Sequence, residues 1–345
     1  MTWIPLLLAD ASPNLRYLVL RDLLGRPEED SEVQELLELR EKDPLISSLL
    51  KLQNPDGSWK EKDILGNAPG GSIQVTAQVL TRLGYIGMNP EHPTVRKGIE
   101  YLFSKQKKDG SWPIPGLPKQ EVSLDRGYTM MPLQNALPLI GIAAAGHATD
   151  PRAEKGYDWL LENRLDDGAW PTGLAGEVRG YVGGYRRLPH SRWGCRSNTT
   201  AAVMSFAFHP ERRKNKPARR GLDHLLSRET KDPKNIGYNV ARTVGYEAQS
   251  GWITYFARFD LALILDLCWR IGATTNDERV NEIVDYVKSI GGKFGMWDYA
   301  SNPLAARWIT FDLLRSLSKI DTSTDWYSME PSTPFKAYVG QPRRH

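Results

Sequence analysis

Apolar residues recur at helical spacing in two alternating kinds of segment. The stretch 94–106 places Val95, Ile99, Leu102 and Phe103 on one face and charged residues elsewhere, which predicts an outer helix facing water. Five segments are apolar nearly all round and predict inner helices: 73–83, 130–145, 199–208, 253–271 and 304–317. Residues 13–25 predict a sixth. Five outer helices are clear and 31–40 adds an outer turn, so six pairs predict a closed, all-α barrel of inner and outer helices.

These pairs are copies of one repeat, which ends at an Asp-Gly-Ser/Ala-Trp turn in its best copies. Four copies end in a tryptophan: Trp59, Trp112, Trp170 and Trp297. The intervals between them are 53, 58 and 127 residues, so the last interval fits two units with a decayed copy between them. That copy keeps Gly221 but has Asn235 at the tryptophan position. The repeat predicts one domain over 1–320, followed by an extended, Pro-rich C-terminal tail over 321–345.

Composition excludes several classes of function. A net charge of +4, from 45 basic and 41 acidic residues, gives no basic excess, so nucleic acid is not a predicted partner. Cys195 and Cys268 cannot form a disulfide framework, and the lack of a CxxC motif excludes a cysteine-rich zinc site. No cofactor is predicted. No apolar run reaches 18 residues, so we expect no transmembrane segment and a cytoplasmic location. Peripheral membrane contact and the oligomeric state stay open.

A family resemblance follows from the fullest copies of the repeat. They read Lys97-Gly98, Tyr101-Leu102, Gln106, Gly110 and Trp112, and then Lys155-Gly156, Trp159-Leu160, Gly168 and Trp170. This pattern resembles the QW repeat of the squalene-hopene cyclase and protein prenyltransferase superfamily, over roughly residues 40–320. The resemblance implies an (α/α)6 toroid with a central cavity, lined by aromatic residues, in which relatives hold isoprenoid chains.

The chain departs from the motifs of both enzyme classes in that superfamily. Class II terpene cyclases protonate an alkene with a D-x-D-D motif usually followed by Thr-Ala, but the Thr-Ala pairs at 76–77 and 200–201 have no carboxylate before them. Prenyltransferases hold zinc with an Asp-x-Cys pair and a distant His. Asp266 and Cys268 have that spacing but lie among Leu, Ile and Trp. A core position is therefore favoured, and no zinc site is predicted.

A long insertion after Trp170 is the candidate site for an anionic group. Residues 177–196 contain five Arg and lead into a predicted inner helix, and a helix N-terminus combined with Arg favours anions. In a toroid this loop would lie at one mouth of the cavity. Arg187, His190 and Arg192 are the candidate ligands for the head of a bound molecule, with solvated surface charges as the alternative.

Aromatic and acidic residues of predicted inner helices complete the candidate site. Four aromatic residues are candidates for the apolar wall of the cavity: Trp252, Tyr255, Phe256 and Trp308. Asp260 and Asp312 are the candidate catalytic acids, because burial in an apolar cavity raises the pKa of a carboxyl group. The alternative for both is an ion pair that ties neighbouring inner helices together.

Two functions from different classes stay open. The first is a terpene-cyclase- or prenyltransferase-like protein that binds or transforms an isoprenoid, or a similar apolar ligand with an anionic head. The second is a non-catalytic binding or scaffold module for a peptide or protein partner. An open pocket in the centre of the toroid favours the first, and a centre filled by side chains favours the second.

Overall fold

The computed structural model describes residues 3–60, 71–113, 130–172, 187–227, 234–248 and 255–320. The helices within these ranges are α1 (Trp3–Leu8), α2 (Pro13–Leu18), α3 (Ser31–Leu39), α4 (Pro44–Leu52), α5 (Gly71–Tyr85), α6 (Pro93–Lys105), α7 (Pro132–Ala144), α8 (Pro151–Glu162), α9 (Arg196–Phe208), α10 (Lys216–Leu226), α11 (Tyr238–Val244), α12 (Leu261–Ile271), α13 (Glu278–Ser289) and α14 (Ala306–Ile320). A π-helical turn, Val19–Leu23, continues α2. Two short strands, β1 (Lys234–Asn235) and β2 (Phe259–Asp260), pair in parallel. The predicted tail 321–345 and Trp252 lie outside the described residues.

The helices form two concentric rings. In the inner ring, α5 packs on α7, α7 on α9, α9 on α12, and α12 on α14. Helix α14 contacts the π-helical turn after α2, and the Arg21 side chain of that turn lies against Gly87, directly after α5. The outer helices α6, α8, α10 and α13 each pack on the inner helix that precedes or follows them in the chain. The predicted all-α (α/α)6 toroid is confirmed.

The inner helices run in the same direction, which gives the ring two distinct mouths. Near the N-terminal end of α5, Gln74 donates a hydrogen bond to the backbone oxygen of Gln134 in α7 (3.2 Å). At the C-terminal end the same two helices meet where a Cβ on Gly84 would lie 2.1 Å from the Ala144 carbonyl oxygen. Glycine is therefore required for this close approach, and like ends of neighbouring helices lie together.

Each repeat tryptophan joins an outer helix to the following units. Trp112 is fully buried, and its indole Nε1–H donates to the carbonyl oxygen of Leu102, in the last turn of α6 (2.7 Å). The last four carbonyls of a helix have no partner inside it, so the indole satisfies one of them. The backbone N–H of Trp112 donates to Asn135 Oδ1 in α7, and the ring packs on Gly156 of the next outer helix. The same two hydrogen bonds recur in the other copies, at Trp59, Trp170 and Trp297.

The glutamine and glycine of the repeat complete this joint. Gln106 Nε2 donates both to the Gly110 carbonyl in its own turn (3.1 Å) and to the Arg152 carbonyl in the next outer helix (2.9 Å). Gly110 has a φ of 88°, and a Cβ there would lie 2.3 Å from the Lys155 carbonyl oxygen. The positive φ and the close approach together explain why glycine is required at this position of the turn.

The decayed copy keeps its outer helix and changes its end. Helix α10 is present, and Gly221 packs on the Trp170 ring as glycine does in the other copies. Asn235, at the tryptophan position, instead lies in β1 and pairs with Asp260 of β2. Between the strands, the short helix α11 contacts α5, α12 and α14, so it occupies part of the space enclosed by the inner ring.

One predicted inner helix was placed too early in the chain. The predicted range 253–271 begins in the structure at Leu261, and residues 255–260 are not helical. Asp260 is the N-cap of α12, since its side chain accepts from the Ala262 backbone N–H (3.1 Å). A short polar side chain that bonds the backbone in this way marks the first turn of a helix, so α12 begins here.

Nowhere in the part of the chain that the structure describes is a helix both long and apolar enough to cross a membrane.

Candidate functional site

The inner ring encloses a cavity of about 290 Å³ at the mouth where its helices end. Many of the lining side chains belong to the last turns of these helices, including Tyr85 of α5, Ala144 of α7, Phe208 of α9 and Trp269 of α12, and others belong to α11. One wall is apolar, whereas the other carries acidic and basic residues of the π-helical turn, α12 and α14. The cavity therefore presents two chemically different surfaces to a ligand.

Asp312 is the centre of the charged wall. This side chain is buried in α14, accepts a hydrogen bond from the Tyr85 hydroxyl (3.2 Å) and pairs with Arg315 (2.5 Å). Burial raises the pKa of Asp312 to about 6, and the negative charge of Asp266 adds to the rise although Arg315 opposes it. Burial would also raise the pKa of Asp266, but the charges of Arg270 and Arg315 outweigh it and lower that pKa. The two carboxyl groups therefore differ in proton affinity, with Asp312 the one that holds a proton more readily.

Cations and aromatic rings surround the opening of the cavity. The Arg270 guanidinium lies over the rings of Trp269 (4.4 Å to the centroid) and Phe208 (4.5 Å), and the Lys319 ammonium lies 4.7 Å from the Trp269 centroid. Arg21 lines the same opening and is paired with Asp22 (2.5 Å). The rim is thus a mixture of aromatic surface and ion pairs.

A smaller cavity of about 30 Å³ adjoins the larger one on the side toward the middle of the inner helices. We call this side the inner end of the cavity. The two cavities share the lining residues Thr81, Met204, Asn239 and Thr243. Tyr255 and Phe256 form a T-shaped pair in its wall, with ring centroids 4.8 Å apart. The wall also contains two arginines, Arg82 and Arg242, which sequence reasoning did not single out.

The structure brings some of the predicted site residues to these cavities. Asp312 lines the larger one, and Tyr255 and Phe256 line the smaller one. Trp308 is buried with its ring 6.2 Å from that of Tyr85 and lines neither cavity.

Asp260 has a different position from the one predicted for a catalytic acid. Its carboxylate accepts backbone N–H groups from Gly237 (2.8 Å), Asn239 (2.6 Å) and Ala262 (3.1 Å). It lines neither of the two cavities. This carboxylate therefore fastens the start of α11 to the start of α12, because its lone pairs are used by the backbone.

The predicted anion ligands of the long insertion lie at the other mouth. Arg187, His190 and Arg192 come directly before α9, whereas Phe208, the last residue of α9, lines the larger cavity. A helix of 13 residues is about 20 Å long at about 1.5 Å per residue. The structure therefore does not bring these three side chains to either cavity.

Both residues of the Asp-x-Cys pair are buried in α12. Cys268 is completely buried in α12, where burial raises the pKa of its thiol, and Asp266 is bonded to Arg270 and Arg315. In the described ranges, no three His, Cys, Asp or Glu side chains come together in a way that could hold a metal ion.

Charged residues inside apolar helices were the signal for the parts of the site that sequence reasoning missed. Arg82 in α5, Asp266 in α12 and Arg315 in α14 interrupt otherwise apolar inner segments. A charge at such a position must find a partner, and each of these three has at least one on another element: Arg82 bonds to Thr243 of α11, and Asp266 pairs with Arg315.

Comparisons with known proteins agree with the repeat. Residues 40–186 match the squalene-hopene cyclase C-terminal domain. A squalene–hopene cyclase of Bradyrhizobium diazoefficiens is 31% identical over 129 residues, which are 36% of this chain and 18% of that enzyme. One from Schizosaccharomyces japonicus is 29% identical over 233 residues, covering 46% of this chain and 36% of the enzyme. The chain therefore spans about a fifth of the bacterial relative and about a third of the yeast one.

Solved structures give a weaker likeness. The apo structure of the type II terpene cyclase MstE from Scytonema is 13% identical and covers 81% of this chain and 96% of its own, with a TM-score of 0.32. Another structure of that enzyme contains geranylgeranyl dihydroxybenzoate as its substrate. A TM-score of 0.32 is too low to carry any statement about the ligand of this chain.

Proposed function

Because this chain belongs to the squalene-hopene cyclase-like superfamily, we propose that it binds a short isoprenoid, or a similar apolar molecule with an anionic head, in the cavity of its inner ring. The observation that carries this proposal is the two-sided cavity, in which an apolar wall faces a charged one. An apolar molecule with a charged end is the class of ligand that satisfies both surfaces.

The size and lining of the cavity support a short chain. Ala143, Met204, Phe208 and Leu263 supply an apolar surface along which hydrocarbon can lie. Binding would remove this surface from water, which contributes a favourable free energy of about 25 cal/mol per Å² of apolar area buried. A volume of about 290 Å³ is at the lower end of the range for small-molecule pockets, which is roughly 300–1,000 Å³. Prenyl chains of ten or fifteen carbons are thus better candidates than a triterpene.

Asp312 is the acid that we assign to any chemistry on such a ligand. It lines the cavity, is buried, and has a pKa raised to about 6 by that burial. A proton transfer from Asp312 Oδ to one carbon of a ligand C=C would leave a carbocation and the aspartate carboxylate, beside Arg315. A raised pKa keeps a fraction of Asp312 protonated near neutral pH, as a general acid requires.

Binding can be tested with ligands that differ only in the head. Isothermal titration calorimetry of the full chain with farnesol, farnesoic acid and farnesyl diphosphate should show saturable binding of at least one of these three compounds. Ala144→Phe should abolish it, because a phenyl ring at the end of α7 would occupy the cavity. Ala144 is only half-buried, so this variant should fold, which its melting temperature will verify.

The matched control places the change at the opposite mouth. Arg187→Ala combined with Arg192→Ala should leave binding unchanged, because these residues precede α9 and do not line the cavity. Loss of binding in this double variant, with retention in Ala144→Phe, would move the site to the N-terminal mouth. If no prenyl compound binds the wild-type chain, the proposal is wrong and the non-catalytic binding module becomes the better hypothesis.

A further inference from the structure

Two groups of cations border the space inside the ring, and they differ in their partners. Those of the charged wall are paired with carboxylates: Arg21 with Asp22 (2.5 Å), Arg270 with Asp266 (2.7 Å), and Arg315 with Asp312 (2.5 Å). Each of these three cations has a carboxylate countercharge, so an anion gains less from them than from a cation without one.

One arginine at the inner end bonds to a neutral oxygen atom. Arg82 is buried, and its Nε donates to the Thr243 carbonyl of α11 (2.7 Å), with no carboxylate bonded to it among the described residues. Arg242, also buried, donates to the Tyr255 carbonyl (2.6 Å) and to Asn239 Oδ1 (2.8 Å). Burial lowers the pKa of Arg82 to about 10. A buried cation such as Arg82, to which no carboxylate is bonded in the described part of the chain, is unfavourable, so an anion placed beside it would be stabilised.

An unbonded amide lines the same small cavity. Both Gln78 Nε2 and Gln78 Oε1 are buried and have no hydrogen-bond partner within the described part of the chain. Buried polar groups normally have a hydrogen-bond partner, and a buried donor or acceptor without one costs about 1–3 kcal/mol of stability. The side chain can donate two N–H groups, so it can contribute to an acceptor that the two arginines also face.

We infer that the inner end of the cavity is an anion-binding subsite in which Arg82, Arg242 and Gln78 hold a carboxylate-sized oxyanion. The inference rests on the proposed function in assigning this oxyanion to the head of the isoprenoid-like ligand. The small cavity of about 30 Å³ has room for roughly one or two water-sized groups, which suits a carboxylate and excludes a diphosphate.

The shared lining of the two cavities provides a continuous path for such a ligand. Thr81, Met204 and Thr243 border both. The head would lie at Arg82 and Arg242, and the tail would extend along the apolar wall toward Trp269 at the opening. Asp312 then faces the hydrocarbon tail of the ligand rather than its head, because Asp312 lines only the larger of these two cavities.

The first experiment compares farnesoic acid with farnesol by isothermal titration, since the two differ only in the head. The wild-type chain should bind the acid at least about tenfold more tightly, as expected for hydrogen bonds to a charged group. Arg82→Met should remove this preference while retaining farnesol binding, and Gln78→Leu should reduce it. Arg192→Met, which removes a cation at the other mouth, should leave the preference unchanged.

The second experiment tests the subsite without a prenyl chain. Sodium formate should raise the melting temperature of the wild-type chain more than that of Arg82→Met, with sodium chloride at equal ionic strength as the reference. Arg82→Met itself should melt at or above the wild-type temperature in water, since it removes an uncompensated buried charge.

The outcomes separate the two proposals. Equal affinity for acid and alcohol, with no specific effect of formate, would overturn the anion subsite and leave the proposed function standing. If formate stabilises only the wild type and no prenyl compound binds, the anion subsite would be supported and the proposed binding of an isoprenoid would be refuted. An acid preference that survives Arg82→Met and is lost in Arg192→Met would place the head at the N-terminal mouth and also overturn the subsite.

Discussion

Trp112 offers the sharpest test of how the ring is held together. Its side chain is completely buried, packs on Gly156 of the next outer helix, and donates to the Leu102 carbonyl. Trp112→Ala removes the ring and the hydrogen bond together. We expect it to lower the free energy of unfolding by about 3–5 kcal/mol, as for other large buried aromatic residues. Neither cavity is lined by Trp112, so ligand binding by the folded fraction should not change.

A second variant separates the hydrogen bond from the packing. Trp112→Phe keeps an aromatic ring but leaves the Leu102 carbonyl without its donor at the end of α6. An unsatisfied buried acceptor costs about 1–3 kcal/mol, so this variant should lie between the wild type and Trp112→Ala. Trp193→Phe is the matched control, because Trp193 is only half-buried and should change stability by less than about 0.5 kcal/mol.

Urea titrations followed by far-ultraviolet circular dichroism will measure these differences as shifts of the unfolding midpoint. An unchanged midpoint for Trp112→Ala would refute the role of this residue in joining the units. A loss for Trp112→Phe as large as that for Trp112→Ala would show that the hydrogen bond, and not the packing, provides the stability.

Three further predictions concern the rest of the molecule. Asp312 holds its proton more tightly in the folded chain, with a pKa of about 6 against about 3.9 unfolded. Stability should therefore fall by up to about 3 kcal/mol as the pH rises from 4 to 6, and Asp312→Asn should flatten that part of a stability–pH curve. Gly84→Ala places a Cβ 2.1 Å from the Ala144 carbonyl oxygen and should cost about 3 kcal/mol or more. Gly25→Ala, in open space with a φ of 63°, should cost only about 1–2 kcal/mol, and equal melting temperatures would contradict the close approach of α5 and α7. Elemental analysis of the purified chain should find no stoichiometric zinc, and one zinc per chain would restore the prenyltransferase hypothesis.

The joints between units could be predicted from sequence because the residues that form them recur at constant separations within each copy. Gly98 lies 14 residues before Trp112, and Gly156 lies 14 before Trp170. Within a copy the glutamine, the Asp-Gly turn and the tryptophan are only a few residues apart, so short-range pattern and contact coincide. The repeat therefore identified both the fold and the residues that hold it.

The site was harder to predict because its contacts join distant parts of the chain. Tyr85 and Asp312 are 227 residues apart in sequence and 3.2 Å apart in the structure. Helix α11 has only seven residues, too few to show a helical period of apolar positions, so it was not predicted from sequence. The spacing of Tyr255 and Phe256 suggested a helix, whereas the backbone there is a turn stabilised by Arg242. The long Arg-rich insertion leads to the mouth opposite the larger cavity, since sequence alone does not say at which end of the ring a cavity opens.

The constant and variable parts of each unit have a consequence for how such a chain can change in length. From each tryptophan to the start of the next inner helix, the chain has 12 residues after Trp59, 20 after Trp112 and 26 after Trp170. The ten-residue interval from the indole acceptor (Leu49, Leu102 or Leu160) to the tryptophan stays fixed in the same units, because the indole hydrogen bond depends on it. In these units the variable length therefore lies between the turn and the inner helix, at the mouth where the inner helices begin. A lineage could remodel that opening repeatedly without altering the cavity at the other end.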